Sequence, residues 1–128
     1  MSELTMQEVF DRAAAGVIGQ GGPALSDKEP ICMYRGGRGR RCPVGWLITD
    51  EEFTEAMEGN NVLYLLEAGL LPDRLAPFID MLVGLQRAHD DATLREKKGW
   101  EGQWMSKWKS LMTYVAEQHG LSPEILNR

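Results

Sequence analysis

The sequence predicts a mainly α domain of the α+β kind, with about four to five helices packed around one short β-hairpin. Three observations predict it. Apolar residues recur at helical spacing along most of the chain. Glycine, proline or a capping residue stands at the ends of those stripes. Two short β-type runs, residues 31–35 and 41–48, flank a glycine-rich turn. With 128 residues, 43% of them hydrophobic, the chain suits a single domain spanning 1–128 with an ordinary core.

The first helix is expected over residues 4–18. Met6, Val9, Phe10, Ala13, Ala14 and Val17 form its apolar stripe, and Gly19, Gly21, Gly22 and Pro23 end it. Residues 24–30 read as a polar linker. The hairpin follows, with Gly36, Gly37 and Gly39 in its turn. Centred on Gly37, it would set Cys32 opposite Cys42 and Tyr34 opposite Arg40. Pro43 cannot donate to a ladder, so the second strand should be an edge. Thr49 and Glu52 form a capping-box signal for a helix running to about Glu58. Residues 61–68 suit a short helix stopped by Gly69. A longer one is expected over 72–91, with Phe78, Leu82, Leu85 and His89 on one stripe. Residues 93–101 are charged and read as a loop. The last long helix covers 103–119, with Trp104, Trp108, Leu111 and Val115 on one face and Gly120 as its cap. Ser122, Pro123 and Glu124 begin a short tail turn.

Charge and hydropathy exclude some partners. The net charge of −5 argues against a long nucleic acid, whose binding needs many cationic phosphate contacts. No apolar run approaches the roughly 20 residues of a membrane helix. The first residues carry no basic-then-apolar signal pattern, so a cytoplasmic protein is expected.

Against that acidic background, Arg35, Arg38, Arg40 and Arg41 cluster within one short stretch interleaved with glycines. Glycine lets backbone N–H groups approach an anion, and guanidinium forks match phosphate oxygens bidentately. Tyr34 and Trp46 flank the cluster, and Trp104 belongs to a stripe with Trp100 and Trp108. Arginines beside aromatic rings are what a nucleotide site uses. The competing reading is a solvated hairpin tip paired with surface carboxylates. His89 continues its helix's apolar stripe and reads as a core-edge residue or as a contact at a pocket lip. The candidate ligand residues are therefore Tyr34, Arg35, Arg38, Arg40, Arg41, Trp46, His89 and Trp104. No catalytic residue, cofactor or metal is assigned. A Cys2His2 zinc set would consume every cysteine and histidine, and the usual knuckle spacing is missing. A cysteine nucleophile paired with His89 stays open by residue type only.

Cys32-x-Tyr34-Arg35-Gly36, then Cys42-x-Val44-Gly45-x-Leu47-Ile48-x-Asp50-Glu51, resembles a pattern of small uncharacterised phage and prophage proteins, C-x-Y-R-G followed by C-A-V-G-x-L-I. Met57-Glu58-Gly59 and Leu85-Gln86-x-x-His89-Asp90 also look like theirs. The chain departs from the pattern at Pro43, where a small residue is usual, and in its extra arginines. The resemblance implies a phage-type accessory protein that antagonises host defence. The expected partner is one small phosphorylated, nucleotide-derived ligand, held and sequestered. The alternatives are inhibition of a single host protein and, last, a small cysteine-dependent hydrolase. A homo-oligomer is a further expectation, from the tryptophans.

Overall fold

The computed structural model describes residues 4–24, 33–96 and 103–127, the side chains of Arg38 and of residues 94–96 excepted. Helix α1 is Met6–Gln20. It starts two residues later than the stripe suggests because Thr5 is its cap. The Thr5 hydroxyl accepts from the Glu8 N–H (3.1 Å), and the Glu8 carboxylate accepts from the Thr5 N–H (2.9 Å). Gly21, at φ +81°, ends it. Val9, Phe10, Ala13, Ala14 and Val17 are buried, the stripe read from the sequence.

The hairpin does not form. Among the described residues there is no strand, so the expected α+β fold with a β-hairpin is corrected to a helical one over those residues. The glycine turn between the two β-type runs is a single 3₁₀ turn at Gly37–Gly39, and the second run carries another at Gly45–Leu47. The backbone groups that a ladder would use are taken elsewhere. The Tyr34 and Arg35 N–H groups donate to Glu58, and the Arg41 N–H and carbonyl both bind the Gln20 side chain. One cross-loop bond remains, from Gly36 N–H to the Arg40 carbonyl (2.8 Å). Cys32, and with it the expected Cys32–Cys42 pairing, lies outside the described residues.

The helix expected from Thr49 is also shorter than its signal. The capping box forms, Thr49 accepting from Glu52 N–H (3.2 Å) and Glu52 from Thr49 N–H (2.9 Å). One turn later Thr54 is extended, and only a 3₁₀ turn at Glu55–Met57 follows. Tertiary partners override the local start, because Glu52 is gripped by Arg74 and Glu58 reaches back to residues 34 and 35.

Helix α2, Val62–Glu67, is capped by the Asn61 side chain on Tyr64 N–H (2.8 Å). The segment expected as one helix over 72–91 splits. Asp73–Phe78 is 3₁₀ and contains Pro77, which has no N–H to continue an α pattern. Helix α3 then runs Ile79–Glu96, past its expected end. Thr93, read as loop, is buried within it and accepts from the Trp104 indole (3.1 Å). Helix α4, Trp104–Gln118, packs on α3 in the most extensive helix pairing. Gly84 makes that approach possible: a Cβ there would sit 3.3 Å from Val115 Cγ1. The tail turn Glu124–Asn127 buries Leu126 and returns to α1, where Gln7 bonds both the N–H and carbonyl of Ser122. Among the described residues no helix is long and apolar enough to cross a membrane.

Two contacts tie the middle of the chain to this frame. Trp46 lies flat against α1 where Gly16 leaves space; a Cβ there would fall 2.4 Å from the ring. Arg74 grips both Glu52 carboxylate oxygens and also donates to the Leu47 carbonyl (2.7 Å). The Arg74 guanidinium holds the Glu52 carboxyl down, from the usual 4.5 to about 2.

Gly16→Ala should therefore destabilise the protein by about 1–3 kcal/mol through overpacking. Gly19→Ala, which meets nothing within 4 Å, should be neutral or stabilising by up to ~1 kcal/mol. Urea midpoints at unchanged slope measure both. A lowered folded-state pKa at Glu52 contributes stability that is complete above pH 4.5 and is lost as pH falls towards 2. Unfolding curves over that range should show an acid-dependent loss in the wild type that is smaller in Glu52→Gln.

Candidate functional site

The arginine segment is held in place from both sides. Gly45 lies so close to residue 34 that a Cβ would sit 2.3 Å from the Tyr34 carbonyl oxygen. That close approach brings the Arg35 guanidinium onto the Gly45 and Ile48 carbonyls, each at 2.7 Å. Its plane lies over the Phe53 ring at 4.9 Å. The Glu58 carboxylate caps the Tyr34 and Arg35 N–H groups at 2.8 and 3.1 Å. Burial lowers the Arg35 pKa, Arg41 adds to the effect and Asp50 opposes it.

Arg41 is set by α1. The Gln20 amide bonds the Arg41 N–H and carbonyl, both at 2.7 Å, and accepts from the Trp46 indole at 3.1 Å. The Arg41 guanidinium then lies over the Trp46 ring at 5.0 Å. Arg35 and Arg41 converge on one atom, Asp50 Oδ1, at 3.3 and 3.0 Å. The Asp50 side chain is 75% exposed, whereas the arginines are 17% and 27% exposed. The result is a rigidly backed, two-guanidinium fork aimed at an oxygen position on the surface.

The structure brings three of the candidate residues together at this fork: Arg35, Arg41 and Trp46. The Arg40 guanidinium lies over Gly22, and its backbone closes the loop: its carbonyl accepts from the Gly36 N–H (2.8 Å) and its N–H donates to the Gly37 carbonyl (3.2 Å). Arg38 contributes its backbone to the Gly37–Gly39 turn. Tyr34 is a buried wall instead of a stacking face. Its hydroxyl donates to the Asn60 carbonyl (2.8 Å), and burial pushes its phenol pKa upward. His89 and Trp104 belong to the core. His89 Nε2 accepts from the Ala24 N–H (3.1 Å), which puts the neutral ring's proton on Nδ1, 3.4 Å from Asp90. Its ring meets Trp104 edge-on, and Trp104 stacks on Trp108.

Cys42 has no solvent exposure, and burial pushes its thiol up to about 12. Its sulfur accepts from the Gly45 N–H (3.3 Å). A thiol so placed is protonated at neutral pH and out of reach of a substrate. His119 sits elsewhere, in a groove of about 400 Å³ between α3 and α4 that Tyr114 and Val115 also line. A second groove, of about 330 Å³, runs between α2 and α3 beside Leu63.

Sequence reasoning missed Gln20, Asp50, Phe53, Glu58 and Arg74 as organisers of the loop. Asp50 and Glu58 were visible inside the quoted pattern, but no local signal says that a carboxylate will leave its own turn to cap a distant one. Compared with protein families, curated proteins and solved structures, the chain matches none.

Proposed function

We propose that this chain is a non-catalytic binding protein that holds one phosphate group of a small nucleotide-derived ligand at the Arg35–Arg41 fork. The observation that supports it is the convergence of two aromatic-backed guanidiniums on a single exposed oxygen position. Planar guanidiniums in a fixed fork suit phosphate oxygens, and their rigidity lowers the entropy cost of binding. Arg35 supplies the fixed half of the fork, and Arg41 supplies the more open half. Burial of Cys42 counts against the hydrolase alternative. In this reading the protein sequesters its ligand in the host cytoplasm as a phage accessory protein, a setting supported by the sequence pattern.

A second reading, inhibition of one host protein, is supported by a different surface. Among the described residues, Leu63, Tyr64 and Tyr114 are the large apolar side chains left exposed, and Leu63 and Tyr114 border grooves on either side of α3.

Calorimetry separates the two. Wild-type protein at ~100 μM should give heat with at least one of a panel of nucleoside phosphates and ADP-ribose derivatives. Arg41→Met should weaken that binding about tenfold or more while leaving the fold intact. No heat with any member would sink the ligand reading. Capture of one stoichiometric host protein, lost on Tyr114→Ser, would then support the inhibitor reading.

A further inference from the structure

Resting on that reading, we propose that Asp50 is a tethered competitor for the anion seat, and that the seat selects a terminal phosphate over a phosphodiester. The Asp50 carboxylate is where the ligand's phosphate would go. It receives one hydrogen bond from each guanidinium through the same oxygen. Among the described residues nothing else holds it, and its side chain is largely exposed, so it swings out at little cost. The seat outlasts its departure, because Arg35 stays anchored on the Gly45 and Ile48 carbonyls and Arg41 on the face of Trp46.

Any ligand must therefore outcompete a carboxylate already tethered beside the fork, at an effective concentration on the order of millimolar or above. A phosphodiester carries one negative charge, as Asp50 does, and gains little by exchange. A phosphomonoester or the end of a pyrophosphate chain carries about −1.5 to −2 and three terminal oxygens. It can satisfy both guanidiniums through separate oxygens and neutralise both charges, which a single carboxylate oxygen does not. The ligand class is thus a nucleotide with a terminal phosphate group.

The test uses adenosine 5′-monophosphate and its 3′,5′-cyclic diester as matched probes, titrated into wild type, Asp50→Asn and Glu51→Gln. Glu51 is an exposed neighbour, so its variant changes net charge equally without touching the fork. The monoester should bind the wild type more tightly than the diester does. Asp50→Asn should tighten the monoester about tenfold and narrow the gap to the diester. Glu51→Gln should change either affinity by no more than about twofold. Equal gains in both variants would overturn the proposal, as would wild-type binding of the diester as tightly as the monoester. Wild-type binding with no gain in Asp50→Asn overturns this inference and leaves the phosphate reading standing. Silence of both probes in wild type and Asp50→Asn alike overturns this inference, and the phosphate reading falls with it when the whole nucleotide panel is silent too.

Discussion

Everything distinctive about this chain depends on the cross-clamp between residues 34–35 and the turn that begins at Gly45. The Arg35 side chain satisfies two carbonyls of residues 45–48, and the Glu58 carboxylate satisfies the two amides of residues 34–35. These are hydrogen bonds to charged groups, worth about 1.5–3 kcal/mol each. They replace the ladder that a hairpin would have supplied. A loop with no sheet and few helical bonds needs such partners, because buried backbone groups cannot be left unpaired.

The same clamp explains why the arginine segment divides its work. Arg35 is mostly committed to structure, and its remaining edge faces Asp50. Arg41 is fixed through its backbone by Gln20, which leaves its side chain for the surface. A fork of this kind is preorganised by the fold, with one arm immobile and the other partly open. His89 and Trp104 work in the core instead: His89 accepts from the Ala24 N–H, Trp104 donates to Thr93, and their rings meet between α3 and α4.

The helices were legible because burial imposes a 3.6-residue period on them. The α1 stripe and the α4 tryptophan face appear in the structure nearly as spaced in the sequence. The hairpin was misread because Tyr34, Val44, Ile48 and the glycines carry β-type and turn preferences, while what decides their backbone is long-range. Gln20, Glu58 and Arg74 lie at sequence distances that no local pattern reports. Yet the pattern itself held more than its spacing conveyed. Tyr34, Arg35, Gly45, Asp50 and Glu58 are members of it, and they turn out to touch one another directly. The glycine of the pattern at Gly45 reflects the Tyr34 carbonyl packed against it.

The clamp predicts one measurable property that no secondary structure would provide. The amides of Tyr34 and Arg35 lie outside every helix, so any slow hydrogen exchange there must come from Glu58. Native-state exchange by NMR should find both amides protected in the wild type and freely exchanging in Glu58→Ala, with α1, α3 and α4 still protected. Unprotected amides in the wild type, or protection that survives Glu58→Ala, would contradict the account.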